Sequence, residues 1–229
     1  MMRPLIDKKI FFYILIFLFF GSLHSQNFNS KKIFNIKDIN ISGLNYVGGN
    51  SDAIPNLTVE SWIKCNSGTT SHTSDQRIIL SFDRSSVFRF AIGNDQTSSA
   101  AGKPSFMDAS GSSGVGDSVA TSFSGDLRDD QWHQVCVTFS PTALKYYVDG
   151  QIVHTTTGSF NPITNQSTGE TPRYGWIGNG SEASSAGQSN SANPGNLFYG
   201  FISKINYYYK TLTASEIEQN YNAIKGRYE

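Results

Sequence analysis

The chain has 229 residues, with 18 basic and 18 acidic side chains and a hydrophobic content of 38%. This length lies within the range that an all-β sandwich or barrel fills as one domain. Because the charges balance, nothing in the composition attracts a polyanion, and nucleic acid is excluded as an expected partner.

The first 25 residues have the pattern of a secretory signal peptide. Lys8 and Lys9 precede an uninterrupted apolar run from Ile10 to Phe20, and small residues follow. This run is shorter than the roughly 20 apolar residues that a membrane-spanning helix needs. We therefore predict cleavage after Ser25, with an uncleaved anchor as the alternative. The mature chain would be secreted or extracellular (cell surface or periplasm included), without a stable membrane span, and would carry 15 basic and 17 acidic residues, a net charge of −2.

Short runs rich in β-branched and aromatic residues recur along the rest of the chain, separated by segments rich in Gly, Asn, Ser and Asp. Many short strands without intervening helices predict an all-β fold of two packed antiparallel sheets. Two longer segments, 96–126 and 178–196, are predicted as loops, either functional or disordered. The predicted strands are 33–41, 57–64, 77–82, 87–92, 134–140, 144–148, 151–155, 174–177 and 197–209.

The clearest local signal is a β-hairpin whose turn is Asp149-Gly150. These two residues suit the positive φ angles of a type I′ turn, which matches the twist of the flanking strands. A two-residue turn predicts that Tyr147 pairs with Ile152 and that Tyr146 pairs with Val153. Both faces of the hairpin are apolar, which predicts burial on both sides.

One helix is predicted near the end of the chain. Thr213 and Glu216 have the spacing of a capping box, and Leu212 and Ile217 that of a hydrophobic staple. Gly226 is predicted to end the helix in the left-handed conformation. We interpret this helix as a structural element that packs on the sandwich.

Several segments, taken in order, resemble the laminin-G-like and pentraxin-like domains of the concanavalin-A-like lectin/glucanase superfamily. The resemblance covers about residues 57–223, so we predict a signal peptide over 1–25 and a single domain over 26–229. It implies a two-sheet antiparallel jelly-roll sandwich with a short C-terminal helix, which binds glycans, glycoproteins or lipid head groups, often through calcium. The segments are LTVESWIK (57–64), DDQWHQVCVTF (129–139), the hairpin 146–153, WIG (176–178), YGFISKI (199–205) and the helix 212–221.

The chain departs from this family at its cysteines. Export permits a disulfide between Cys65 and Cys136, which would stabilise the fold by roughly 4 kcal/mol in the chain-entropy model. Cys136 falls on one pentraxin disulfide position, but the other falls on Glu60, five residues before Cys65. An odd offset along a strand points the side chain to the opposite face. We therefore expect free cysteines more often than a disulfide.

The calcium loops also depart from the pentraxin pattern. Calcium takes six to eight oxygen ligands, and the corresponding loops, 83–86 and 179–182, contain few acids. The two-calcium site is therefore expected to be lost, which leaves at most one weak calcium ion. The family topology implies that the loops after Phe82 and Ile177 share one rim, opposite Asp95. The candidate residues are Asp83 and Glu182 for the metal and Arg84, Trp176 and Asn179 for the ligand; ordinary solvated loop residues are the alternative.

The sequence lacks the motifs of common enzymes. Glycosidases need two cooperating carboxylates, and among the glutamates only Glu60 lies in a predicted core strand. No Gly-x-Ser-x-Gly, His-Glu-x-x-His, phosphate-loop or dinucleotide motif is present. We therefore predict a secreted carbohydrate- or glycoprotein-binding module, acting in adhesion or surface attachment. A structural component of an extracellular or virion assembly is the alternative, because residues 220–228 also resemble domains of phage structural proteins. A cryptic glycoside hydrolase is the third, least favoured reading.

Overall fold

The structure is a computed structural model. It describes residues 34–35, 54–66, 77–82, 88–93, 100–108, 117–163, 174–178 and 198–229. In this part of the chain, strands arranged in two antiparallel sheets are followed by one α-helix and a short 3-10 helix. The predicted all-β sandwich with a short C-terminal helix is confirmed. The predicted signal peptide lies outside the described residues.

One sheet has six strands in the order β1-β10-β3-β4-β5-β6, and the other has five in the order β11-β2-β7-β8-β9. The strands are β1 (Phe34–Asn35), β2 (Leu57–Cys65), β3 (Arg77–Phe82), β4 (Phe88–Ile92), β5 (Pro104–Asp108), β6 (Asp117–Val119), β7 (Trp132–Ser140), β8 (Ala143–Val148), β9 (Gln151–Thr157), β10 (Tyr174–Ile177) and β11 (Gly200–Tyr208). Helix α1 spans Ala214–Ile224, and the 3-10 helix spans Lys225–Arg227.

The core lies between the two sheets and is built from alternate residues of the central strands. Leu57, Val59 and Ile63 of β2 are fully buried in the core. They lie an even number of positions apart, so their side chains point to the same face of the strand. Phe88 and Phe90 enter from the other sheet. Burying a side chain of this size stabilises the fold by about 1.5–3 kcal/mol.

The hairpin between β8 and β9 confirms the turn prediction. Asp149 and Gly150 have φ angles of 50° and 78°, and Tyr147 pairs with Ile152 as predicted. The second predicted pair is wrong, because Tyr146 pairs with His154 instead of Val153. A register shift between Tyr146 and Tyr147 inserts one extra residue into β9, which moves every later pair by one position.

Strands β5 and β6 lie in the segment 96–126 that the sequence predicts as a loop. β5 begins at Pro104, where a missing backbone N–H is tolerated because the position is the first of the strand. Its sequence, PSFMD, and that of β6, DSV, show no regular apolar alternation. Pairing with β4 therefore makes β5 a strand, and the local pattern does not indicate it.

Helix α1 begins as predicted. Thr213 accepts a hydrogen bond from the backbone N–H of Glu216, whose carboxylate accepts one from the backbone N–H of Thr213. Leu212 and Ile217 are both buried, which confirms that this end of the helix docks on the sandwich. The predicted left-handed stop is wrong, because Gly226 continues the chain into the 3-10 helix and has no positive φ.

The face of the five-stranded sheet that points away from the core, which we call the outer face, carries α1. Ile217 packs in a small cluster with Leu212, Cys136 and Tyr147. Cys136 therefore lies on the outer face, whereas Cys65 lies in the core between the sheets. Both cysteines are buried and no disulfide joins them, as the odd sequence offset predicts.

Candidate functional site

The residues predicted for ligand or calcium binding fall mostly outside the described part of the chain. Asp83, Arg84, Asn179 and Glu182 belong to segments that the structure does not describe. Trp176 lies in β10, where its backbone pairs with Ser81, and its side chain is not described. Their roles, and the single calcium ion, therefore stay predictions.

The strand register does contradict the geometry assumed for these residues. β3 and β10 are antiparallel, with Phe82 opposite Gly175 and Leu80 opposite Ile177. The chain after Phe82 and the chain after Ile177 thus leave the sheet in opposite directions, from points roughly 7 Å apart along β3. The expectation that these two loops leave from one rim is wrong, because paired antiparallel strands end at opposite edges.

The described residues contain an aromatic patch at one end of the outer face. We define the aromatic patch as Trp132 of β7, Phe201 of β11 and Tyr228, which follows the 3-10 helix. The ring centroid of Trp132 lies 6.4 Å from that of Phe201 and 5.1 Å from that of Tyr228. Phe201 is 45% exposed, and the other two rings are half-buried. The patch is thus a joined aromatic surface in contact with solvent.

The sheet register explains how residues so distant in sequence meet. Lys64 of β2 pairs with Phe201 on one side and with Trp132 on the other. Directly paired residues present their side chains on the same face, so these three residues form one cross-strand row. Among the described residues, the Lys64 amine has no hydrogen-bond or ion-pair partner. A cation is therefore available beside the exposed rings.

The aromatic patch rests on a fixed support. Trp62, which is only 2% exposed, lies parallel to Tyr228 with ring centroids 4.0 Å apart, and parallel to Tyr221 of α1 at 5.6 Å. The hydroxyl oxygens of Tyr228 and Ser203 are 2.8 Å apart, within hydrogen-bonding distance. These contacts hold Tyr228 in place, so a ligand would meet a preorganised surface.

A buried carboxyl group lies at the other end of the outer face, beneath α1. Glu60 accepts hydrogen bonds from Asn206 Nδ2 at 3.2 Å and from Asn220 Nδ2 at 2.9 Å. Burial raises the pKa of Glu60, and the hydrogen bonds oppose this rise in part. Its partners are neutral amides rather than a second carboxylate, which fits a structural role better than glycosidase chemistry.

His133 joins two aspartates next to the hairpin turn. Its Nδ1 is 2.7 Å from Asp149 Oδ2, and its Nε2 is 3.1 Å from Asp129 Oδ2. The hydrogen bond with Asp149 is the main cause that raises the pKa of His133. Asp149 also accepts a hydrogen bond from the backbone N–H of Gln134. These contacts tie the turn to the start of β7 and leave no ring nitrogen for other chemistry.

A second histidine contacts a serine. Ser122 Oγ is 2.9 Å from His154 Nδ1, and Thr156 Oγ1 is 3.3 Å from His154 Nε2. Burial lowers the pKa of His154, which favours the neutral ring. In hydrolytic triads, the histidine nitrogen that does not contact the serine faces a carboxylate, which stabilises the imidazolium. In this protein the hydroxyl group of Thr156 takes the place of that carboxylate. The arrangement fits a structural contact that joins β9 to the turn at 121–122.

Sequence reasoning missed the aromatic patch and the His133 bridge. Trp132 and Phe201 lie in segments read only as core strands, and Tyr228 lies beyond the predicted helix. The single sequence signal for the patch is that β7 and β11 contain large aromatic residues at strand ends, where burial is incomplete. No group of three or more metal-ligating side chains occurs among the described residues.

A family comparison identifies the fold. The model described as the concanavalin A-like lectin/glucanases superfamily, of laminin-G type, matches residues 47–218. The chain belongs to this superfamily. The match confirms the resemblance to laminin-G-like domains. No curated protein matches the sequence at a significant level.

Solved structures with this fold are distant in sequence. A candidate carbohydrate-binding protein from Bacteroides ovatus aligns with a TM-score of 0.52 and 15% identity, over 75% of this chain and 42% of the other. A native heptameric SAP-like pentraxin from Limulus polyphemus gives 0.50 and 16%, over 72% and 69%. The binding domain of Paraclostridial Mosquitocidal Protein 1 gives 0.50 and 14%, over 74% and 37%. This chain therefore spans less than half of two of them, and the likeness is one of fold.

Searched over the residues that the structure describes, no helix has the length and apolar character needed to cross a membrane.

Proposed function

We propose that this protein is a secreted saccharide-binding module that attaches to glycans or glycoproteins at a surface, and that the aromatic patch is its binding site. The single observation that carries this proposal is the exposure of Phe201 beside Trp132 and Tyr228 on a rigid sheet. Family membership supports it, because the superfamily includes lectins. The buried carboxyl group of Glu60 is paired with neutral amides rather than with a second carboxylate, which favours binding over catalysis.

The chemistry of the aromatic patch suits a sugar. Leaving large apolar rings in solvent costs free energy, so a joined exposed patch usually marks an interaction site. A pyranose ring presents a face of C–H groups that can pack on an aromatic ring, while its hydroxyl groups bond to donors at the edge. The hydroxyl groups of Tyr228 and Ser203, which are 2.8 Å apart, lie beside these rings.

A glycan array probed with the mature protein, with calcium and with a chelator, tests the proposal. We expect saturable binding to at least one saccharide class and loss of that binding in Phe201→Ala. Ile152→Ala is the matched control, because Ile152 is 50% exposed on the edge strand of the same sheet. If no saccharide binds, or if both variants bind like the parent chain, the proposal is wrong. Binding that vanishes only with the chelator would place calcium at the site.

The same proposal includes export. N-terminal sequencing of the protein released by expressing cells should begin near Gln26, after the predicted signal peptide. A full-length product that stays with the membrane would contradict secretion. That result would leave the saccharide-binding part of the proposal standing.

A further inference from the structure

Several basic residues lie in or beside the aromatic patch. Lys64 stands within the cross-strand row between Trp132 and Phe201, and Lys204 pairs with Trp62, the ring beneath Tyr228. Arg227 immediately precedes Tyr228 in the 3-10 helix. The acidic residues next to the patch in sequence are Glu229, which follows Tyr228, and Asp129 and Asp130, which precede Trp132. The row itself therefore contains one cation and no acid.

Lys64 is the cation best placed to meet a ligand. Lys204 already interacts with the carboxyl group of Glu60. Lys225 lies over the ring of Tyr221, 5.4 Å from its centroid. Lys64 has no hydrogen bond or ion pair among the described residues. Its amine can thus pair with an anion without breaking an existing contact, which avoids the usual cost of exchanging one partner for another.

We infer that the aromatic patch binds an acidic saccharide, whose ring packs on Phe201 and Trp132 while its carboxylate or sulfate pairs with the Lys64 amine. This inference rests on the proposed function and names the class of ligand. The geometry favours it because Lys64 lies between Trp132 and Phe201 in the cross-strand row, so one sugar residue can reach both rings and the cation. A neutral sugar would give the amine no charged partner. Its hydroxyl groups would only replace water molecules as hydrogen-bond acceptors for the amine.

The test compares saccharides that differ only in charge. The carboxylate arm uses oligogalacturonate and its fully methyl-esterified form, and the sulfate arm uses chondroitin sulfate and desulfated, carboxyl-reduced chondroitin. Titration calorimetry with the mature protein should show the acidic member of at least one arm binding about tenfold more tightly than its neutral counterpart. Added salt should weaken this binding, because ions screen an exposed charge pair.

Two lysine variants separate a specific contact from net charge. Lys64→Gln should weaken binding of the acidic saccharide about tenfold and binding of the neutral form by less. Lys145→Gln removes the same charge from the outer face at the opposite end of the sheet, where Lys145 pairs with Thr138, and should bind like the parent chain. Melting temperatures of both variants, expected to match the parent, exclude misfolding as the cause.

Several results would overturn the inference. Equal affinity for acidic and neutral members of both arms would show that charge is not recognised, although saccharide binding itself would stand. Equal losses in Lys64→Gln and Lys145→Gln would show only general attraction of an anion. Binding to vesicles of anionic phospholipid, with none to any saccharide, would replace the ligand class. Failure of every saccharide, acidic or neutral, would refute the proposed function together with the inference.

Discussion

The two ends of the outer face of the five-stranded sheet differ in what covers them. At one end, α1 buries Ile217 with Cys136 and Tyr147. At the other end the aromatic patch lies at the surface, and Phe201 remains 45% exposed. The same strands form both ends, so the difference comes from the position of α1, the helix that follows β11 and covers one end. Apolar area is covered at one end and left partly open at the other, where we propose that a ligand binds.

This contrast separates stability from binding. Burying apolar surface stabilises a protein by about 25 cal/mol per Å², so α1 contributes through the area it covers. The open rings forgo that contribution. Apolar rings that stay exposed, and so contribute little to stability, are expected at functional sites rather than at structural ones. The following predictions, taken from the largest expected effect to the smallest, test whether the two ends are separable.

Ile217→Ala should have the largest effect on stability. It removes a fully buried side chain from the small cluster beneath α1 and the partner of Leu212 in the staple. Such truncations cost about 2–5 kcal/mol of the free energy of unfolding, which urea denaturation measures. Glu218→Ala, at the exposed next position, should change it by less than about 0.5 kcal/mol. Equal midpoints for both variants would mean that α1 does not stabilise the covered end.

Thr213→Ala should have a smaller effect at the same end. Thr213 caps α1 through the backbone N–H of Glu216, and losing such a cap costs about 1 kcal/mol. Thermal denaturation should show a lower melting temperature, whereas Thr213→Ser, which keeps the hydroxyl, should stay near the parent. If serine does not restore stability, the hydroxyl is not the source of the effect.

Two glutamates at the covered end should give opposite pH dependences. Burial raises the pKa of Glu60 above 4.5, so the folded chain binds its proton more tightly than the unfolded chain and stability falls as pH rises from 4.5 through the folded pKa. The hydrogen bond from Lys210 is the main cause that lowers the pKa of Glu216 to about 2, so its contribution is lost as pH falls through that value. Glu60→Gln should remove the first limb alone, and Glu216→Gln the second alone, in denaturation midpoints measured against pH.

His133 should add a pH dependence near the open end. Hydrogen bonds to Asp149 and Asp129 raise its pKa above the ordinary value of 6.5. The protonated ring is thus favoured in the folded state, so its stabilisation is complete below 6.5 and is lost as pH rises through the folded pKa. His133→Gln should flatten the profile in this range. A profile unchanged by the substitution would contradict the bridge.

Phe201→Ala should have the smallest effect on stability. Because the ring is 45% exposed, its removal should change the free energy of unfolding by less than about 1 kcal/mol. The same variant should lose saccharide binding, so the two properties separate at this end. A destabilisation as large as that of Ile217→Ala would show that the aromatic patch is structural.

Local signals predicted the parts of the fold that depend on neighbouring residues. The Asp149-Gly150 turn and the Thr213–Glu216 cap each need only a few adjacent positions, and both are present. β5 was missed because its partner β4, rather than its own sequence, makes it a strand. The extra residue in β9, opposite Tyr146 and Tyr147, was missed for a similar reason. A two-residue turn alone does not indicate an inserted residue.

The candidate site could not be predicted in the same way. Lys64, Trp132 and Phe201 meet only because the sheet order places β2 between β11 and β7. Sequence periodicity gives the face of each strand and not its neighbours. The prediction that the loops after Phe82 and Ile177 share one rim was wrong for this reason. The sequence does not show that β10 pairs with β3 in the antiparallel sense.

The most direct test of the open end is a saccharide titration that follows the indole N–H signals of the three tryptophans by NMR, with the signals assigned from Trp→Phe variants. We expect the Trp132 signal to shift saturably, because this ring lies in the aromatic patch, and the signal of buried Trp62 to shift less. Phe201→Ala should abolish the shift. A saturable shift of Trp176 alone, with Trp132 unchanged, would place binding on the other sheet and would contradict binding at the aromatic patch.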